Sequence, residues 1–294
     1  MIATDNGMKT GDFSRYNANG SDLRTVQLSC FEILKKFKDV CEANNLQYFL
    51  AYGTLLGAVR HKGYIPWDDD IDVWMPRPHM EKFLEIANEQ MRPYVINFYT
   101  IDNEASMKYR SQPCIEDHTR KVGFNLGGKI VPGYIWIDIM PLDGMPDNKY
   151  SRRLQCKLFS LWYMLIGFAR SSEVGAFNPS SKKGLKKIGM ELNNRLHVGK
   201  LLDVVKCLDA FEKLRKKYGY DESKYVIGTT TSYIEKAIFL KSWFRKRREM
   251  EFEGENFSIP YSAEKILTKL YGDYMQFPPE EARHGSHFQV LSIE

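Results

Sequence analysis

The chain has 294 residues and 34.2 kDa, 43% of them hydrophobic and 27% charged, which fits one large globular unit and excludes collagen, a disulfide scaffold and wholesale disorder. Its net charge of +5 is unevenly shared, with 17 basic and 20 acidic side chains in residues 1–150 and 25 and 17 in the remainder. No run of 18 apolar residues occurs and the opening MIATDNGMKT lacks a signal-peptide core, so a cytoplasmic protein without a membrane-spanning helix is expected.

Residues 1–20 are polar, rich in Gly and Asn and without period, and read as a flexible tail. Leu23, Val26, Cys30, Leu34, Phe37 and Cys41 then recur at spacings of three and four, which predicts an amphipathic helix. Ser21 or Asp22 is its cap and Asn44-Asn45 its stop. Leu46–Ala51 reads as a buried strand, and residues 53–63 as a glycine-punctuated segment, GTLLGAVRHKG. Asp70–Met75 reads as a strand ended by Pro76 and Pro78, followed by a helix over Glu81–Gln90. Strands are expected at Val95–Thr100 and Tyr134–Met140, the latter alternating Ile135, Ile137 and Ile139 with Trp136, Asp138 and Met140.

From Tyr150 the pattern is helical. Leu154–Phe168 reads as a buried or interface helix, with a membrane-lying helix as the sharper alternative. Ser180–Lys187 is a basic loop or helix start, and Leu201–Lys217 a second amphipathic helix. Lys241–Arg248 carries five positive charges in eight residues. Ser262–Tyr271 is a short helix with Gly272 as its cap, and Pro278-Pro279 opens an extended tail. The order predicts an α+β domain with a small mixed sheet. The basic half suits an anionic acceptor, a membrane surface or nucleic acid, and equally a set of solvated helix faces. No recognised nucleic-acid motif accompanies it, so no nucleic-acid partner is expected. The five cysteines lie far apart, form no CxxC, and read as small buried hydrophobes.

The chemistry is concentrated in acidic residues. Asp68, Asp69, Asp70 and Asp72 fall within five positions, and such mutual repulsion costs stability unless cations sit among them. On a strand Asp70 and Asp72 share a face while Ile71 and Val73 point inward, and hard oxygens on a rigid face suit Mg²⁺ or Mn²⁺. Asp138, set in an apolar strand, is costly to bury without a partner, and a third metal ligand would explain it. Asp68 and Asp69 taken alone also fit a solvated acidic turn. An EF-hand loop would need Gly at 73 and Glu at 79 but finds Val73 and His79. A DDxxD helix is disfavoured by Pro66 and the flanking strands. A DxD glycosyltransferase stays open, although only one helix and one short strand precede the cluster.

Gly53 and Thr54, at a strand-to-helix turn, suit backbone contact with phosphate, though glycines there more often serve packing. Arg60, His61 and Lys62 add donors, Arg60 with a bidentate geometry, and Trp67 reads either as a base-stacking ring or as core. Lys108 and Arg110 alternate on an expected strand and are phosphate candidates or solvated charges, and Arg283 is a further phosphate candidate.

The run GTLLGAVRHKGYIPWDDDIDVWMPRP closely resembles the signature of the LicD family, phosphotransferases of cell-surface glycans related to fukutin and fukutin-related protein. The likeness extends to IWIDIMPLDGMP, FEGENFSIP and YGDYMQFPPEEARHGSH, and is weakest over 150–240. The resemblance implies a DNA polymerase β-like nucleotidyltransferase core with additional helices. It places this core in residues 21–294, with a mainly helical basic segment at about 150–240. It implies a CDP-activated donor, with CDP-choline foremost and CDP-linked ribitol, glycerol or ethanolamine as alternatives. The acceptor would be a sugar hydroxyl of teichoic acid, lipooligosaccharide or capsule, and a divalent metal would assist. The family's metal positions match Asp68, Asp70, Asp72 and Asp138, and Gly53, Arg60 and Trp67 match positions at the nucleotide. His284 and His287 are separated where the family pairs its histidines, and His287 is kept as a phosphate-binding candidate.

The expected reaction is attack of a sugar hydroxyl on the β-phosphorus of the CDP-alcohol with departure of CMP. Asp70, Asp72 and Asp138 would hold metal, and Asp138, or Asp70 through the metal, would help remove the proton. The rivals are an NTP-dependent nucleotidyltransferase on the same core, a DxD glycosyltransferase, and a glycan- or membrane-binding protein with a degenerate site. The basic stretch at Lys241–Arg248 and the apolar one at Leu154–Phe168 suggest peripheral membrane contact.

Overall fold

The computed structural model describes residues 13, 15–97, 111–126, 129–174, 195, 198–228 and 234–283. Helix α1 spans Asp22–Ala43, with the Ser21 hydroxyl accepting from the Arg24 N–H at 3.2 Å as its cap. The expected stripe is its buried face: Val26, Cys30, Leu34, Phe37 and Cys41 are each at most 5% exposed. A two-residue strand β1, Phe49–Leu50, leads straight into α2, Tyr52–His61. The glycine-punctuated segment is therefore a helix, with Tyr52, Leu55, Leu56 and Ala58 buried along it. Burial of these side chains outweighs the weak helix propensity of Gly53 and Gly57.

Strand β2 runs Asp72–Pro76 and helix α3 Arg77–Gln90. Pro78 does not separate strand from helix; it sits in the first helical turn, where its missing N–H has no partner to lose. Strands β3 (Val95–Asn97), β4 (Cys114–Leu126) and β5 (Lys129–Met145) follow, then α4 (Lys149–Val174) and α5 (Val204–Arg215). The chain continues with β6 (Tyr225–Gly228), β7 (Ile238–Leu240), β8 (Arg247–Phe252), β9 (Glu255–Pro260) and α6 (Ala263–Tyr271).

The main sheet has the order β1-β2-β5-β4-β3, with β6 and β7 continuing from the far half of β5. Among the described residues only β2 and β5 pair in parallel, and every other pair is antiparallel. The α+β class and the mixed sheet expected from the sequence are both present. Ile135, Ile137 and Ile139 of β5 are fully buried. Phe37 of α1 meets Phe83 of α3 edge to face at 5.1 Å, so these two helices share one layer against the sheet. The β8–β9 hairpin turns on Glu253 and Gly254, both at positive φ (52° and 82°), a two-residue turn matched to strand twist. The Glu253 carboxylate accepts from Arg24 Nη2 at 2.6 Å and from the Tyr64 N–H at 3.1 Å, which ties the hairpin to α1 and to the stretch after α2.

In α4, Cys156, Phe159, Ile166 and Ala169 are buried while Tyr150, Leu154 and Leu161 are exposed, and Phe159 meets Phe211 of α5 at 5.6 Å. One face is thus an interface with α5, as the bland reading of that helix expects. Among the described residues no helix is long and apolar enough to cross a membrane. All five cysteines are buried and free. Ser180–Lys187 lies outside the described residues.

Candidate active site

The site forms where α2 leaves β1 and β2 begins. The Ala51 N–H donates to Asp72 O at 3.0 Å, and the Asp72 N–H donates to the Thr54 hydroxyl at 2.9 Å. Both backbone groups of Asp72 are thereby fixed by the first turn of α2. Thr54 is 4% exposed, so its side chain serves to place Asp72. The parallel pairing puts Asp72 opposite Asp138, and the Asp138 N–H donates to Ile71 O at 2.9 Å. Paired residues on neighbouring strands project to the same face, so the two carboxylates stand side by side on the sheet. Trp136 donates its indole N–H to Asp138 Oδ2 at 3.1 Å.

Just upstream, carboxylate oxygens of Asp68, Asp69 and Asp70 all lie within 4.8 Å of one another. Two expectations change here. Asp70 precedes β2 rather than belonging to it, because regular pairing starts only at Asp72. Asp69 is not in a solvated turn; it is 1% exposed and sits inside the carboxylate cluster. The buried pattern nonetheless alternates through this irregular stretch, with Asp68, Asp70 and Asp72 partly exposed and Asp69 and Ile71 buried. The loop is held from beneath: Gln27, fully buried on α1, donates to Asp68 O at 2.8 Å and accepts from Asn17 and Arg24. Gly53 faces this cluster, and a Cβ on it would lie 2.7 Å from Asp68 Oδ2.

The concentrated negative charge registers on a neighbour. Burial pushes the Cys30 thiol well above its ordinary value, and Asp70, Asp69 and Asp138 raise it further. Three carboxylates whose oxygens lie within 4.8 Å of one another form a hard-oxygen donor set that fits a divalent cation, and Asp72 and Asp138 stand paired on the adjoining strands. The same sheet face carries two residues that sequence reasoning passed over. Cys114 pairs with Asp138 and Glu116 with Trp136, and the 6%-exposed Glu116 carboxylate lies 3.0 Å from His118 Nε2. Their signal was weak, since CIEDHTRKVGFNL mixes polar and apolar residues without a clean period.

Arg60, His61, Trp67 and Arg283 form a second group. Arg60 donates Nη1 to Tyr274 O at 2.8 Å and to Gln276 O at 3.2 Å, and its guanidinium lies 4.9 Å from the Phe277 ring centroid. Trp67 is 7% exposed and packs edge-on against Phe13 at 5.8 Å and Tyr16 at 5.5 Å. These two rings come from the segment read as a tail. Lys108, Arg110, His284 and His287 lie outside the described residues.

The LicD/FKTN/FKRP nucleotidyltransferase domain model matches residues 45–124, which take in β1, α2, the aspartate cluster, β2 and most of β4. Over 281 residues the chain is 30% identical to the lipopolysaccharide cholinephosphotransferase LicD of Haemophilus influenzae, covering 92% of this chain and 98% of that protein. The chain belongs to the LicD family of phosphotransferases. Shorter matches reach uncharacterized proteins of Rickettsia prowazekii, 33% identical over 90 residues (30% of this chain and 32% of that protein), and of Rickettsia typhi, 48% over 46 (16% and 15%).

Within the LicD domain match, α2 joins the two groups of residues, with Gly53 at one end and Arg60 and His61 at the other. His61 accepts from Arg60 Nε at 3.0 Å, and burial, then Arg60, bring its pKa down from 6.5 to about 4. A histidine whose folded value lies below its unfolded one contributes stability that is full above pH 6.5 and lost as pH falls toward 4, because the unfolded chain takes up the proton first. After allowing for solvent screening of a partly exposed ring, acidification from pH 7 to 4 is expected to cost this LicD-family chain about 1–2 kcal/mol more than it costs His61→Gln. Urea unfolding of both proteins across that range measures the difference, and parallel pH profiles would refute it.

Proposed function

We propose that this LicD-family chain transfers phosphocholine from CDP-choline to a sugar hydroxyl of a surface glycan or its precursor and releases CMP. The reading places the chemistry on a polymerase β-like nucleotidyltransferase core, with Mg²⁺ or Mn²⁺ held among Asp68, Asp70, Asp72 and Asp138. The observation that carries it is the parallel register that sets Asp72 beside Asp138, next to the Asp68–Asp70 cluster. The name of the Haemophilus influenzae relative supports phosphocholine as cargo and a glycan as acceptor.

When bound, the divalent cation supplies neutralisation of the diphosphate charge. The chain supplies position and proton transfer. A bond forms between the acceptor oxygen and the β-phosphorus, the bridging P–O bond breaks, and CMP leaves with that electron pair. The acceptor proton passes to the Asp138 carboxylate, whose Oδ2 is held by Trp136. Thr54 keeps Asp72 in line through its N–H. Gly53 leaves the first turn of α2 without a side chain facing Asp68. Arg60 and Arg283, both at Phe277, are the cationic candidates on the donor side.

The test is CMP release from CDP-choline, CDP-ethanolamine, CDP-glycerol and CDP-ribitol, with CTP as a control, in Mg²⁺ and again in EDTA. CMP from CDP-choline in Mg²⁺, abolished by EDTA, is the expected result. Release from another donor alone changes the cargo, and pyrophosphate from CTP with silence from all CDP-alcohols overturns the reaction class.

A further inference from the structure

The second group of residues has a property that the transfer chemistry leaves unused. The Arg283 guanidinium carbon lies 5.6 Å from the Phe13 ring centroid, 5.5 Å from that of Trp67 and 5.9 Å from that of Phe277. One positive charge therefore lies against a cluster of three rings. Among the described residues no carboxylate pairs with Arg283, and its hydrogen bond runs from Nε to Pro278 O at 2.8 Å. A second guanidinium, Arg60, stands over the same Phe277 ring. Among the described residues this cation is held by rings and not by a counter-ion.

We propose that the Phe13–Trp67–Phe277 cage is a binding site for a trimethylammonium group, with Arg283 as the built-in occupant that the group displaces. The proposal rests on the phosphocholine reading above and deepens it by naming the head-group site. A quaternary ammonium has no N–H to donate and is held by ring faces within about 6 Å, the environment Arg283 now occupies. A primary ammonium would need oxygen acceptors for its three donors and gains less from the same rings. The site therefore favours choline over ethanolamine. Exchange leaves the number of charges in the cage unchanged and frees a guanidinium beside the donor.

Placement fits the same reading. Trp67 directly precedes Asp68, and α2 runs from Gly53 beside the aspartates to Arg60 beside Phe277, seven residues and about 10 Å of helix. Phe13, Phe277 and Arg283 are all partly exposed, so the cage opens on the surface. The two segments that carry them are tied by an Arg15–Glu280 ion pair whose side chains are both more than half exposed, a weak latch. The neutral state of His61, which borders Phe13 and Phe277, adds no further positive charge.

Calorimetric titration with tetramethylammonium chloride tests the cage without turnover. Arg283→Ala is expected to bind it at least about fivefold more tightly than wild type, and adding Phe277→Leu to that variant to weaken binding about tenfold, with Phe277→Tyr restoring it. In turnover, Phe277→Leu is expected to raise the KM for CDP-choline about tenfold while changing that for CDP-ethanolamine by less than about twofold. No binding to Arg283→Ala, or binding that Phe277→Leu leaves intact, overturns the cage. If wild type releases no CMP from CDP-choline, the phosphocholine reading fails, and the titration still decides the cage by itself.

Discussion

Asp138→Asn is expected to lower CMP release at saturating CDP-choline by about 10³-fold, the range over which a positioned proton acceptor and its charge contribute to catalysis. The substitution is nearly isosteric, and Trp136 can still donate to the amide oxygen in place of Asp138 Oδ2. The strand register with Asp72 depends on backbone groups, including the Asp138 N–H to Ile71 O, and is retained. What is lost is one negative charge and the ability to take the proton. Removing a charge from a crowded acidic face also relieves repulsion, so the melting temperature should hold or rise. Asp72→Asn is expected to lose a comparable factor, and the double variant little more, because residues that act as one unit are not additive. Turnover and thermal melts on the three proteins check this. A loss under about tenfold in Asp138→Asn, with the fold intact, would remove Asp138 from the chemistry.

The second large effect is on stability. Asp143 lies at the other end of β5, fully buried, and receives Arg77 Nε at 2.5 Å, Arg77 Nη2 at 2.9 Å and Arg215 Nε at 3.1 Å. Arg77 reaches on to Glu212 at 2.7 Å, and Arg215 to Ser111 O at 3.0 Å. Strand β5 is thus joined to α3 and α5 through two nearly buried guanidiniums. Burial alone would raise the Asp143 carboxyl, yet Arg77 and Arg215 outweigh it and hold its pKa below the ordinary value. Asp143→Asn keeps the shape but leaves two nearly buried guanidiniums to share the one carboxylate of Glu212, a change that costs about 3–5 kcal/mol. For a chain of 294 residues that is a drop of about 5–8 °C in melting temperature. Glu212→Gln, at a partly exposed carboxylate, is the milder control. Calorimetric scans of both variants decide it; a drop below about 1 kcal/mol for Asp143→Asn would mean that the site relaxes around a neutral partner.

What the sequence discloses depends on which force shapes each element. Helix α1 is legible because its whole buried face is apolar at helical spacing. Helix α2 is not, since Gly53 and Gly57 weaken the pattern and only packing against the sheet and hairpin makes it helical. Strand β4 escapes notice because half of CIEDHTRKVGFNL is polar. Likewise RREMEF reads as part of a basic run, although Glu253-Gly254 at positive φ makes it the first strand of a hairpin. The aspartates are visible as chemistry because charge is costly to crowd or bury. Their geometry is not: Asp69 looks solvent-facing until the loop is held by Gln27, and nothing local aligns Asp138 with Asp72. The ring cage is least legible of all, since Phe13 and Arg283 stand at opposite ends of the chain.

Asp138 and Asp143 sit five positions apart on one strand, so alternation sends them to opposite faces, one to the acidic site and one to the helical layer. Inserting or deleting a single residue between them would turn one of the two over, burying a carboxylate among isoleucines or stranding the guanidinium pair. Length variation among chains of this kind should therefore be absent from Ile135–Asp143 and gather instead in the distal β4–β5 ribbon, where the ladder already slips between Asp117 and Lys121. The strand works as a ruler, and its parity is as much a heritable property of the enzyme as the aspartates themselves.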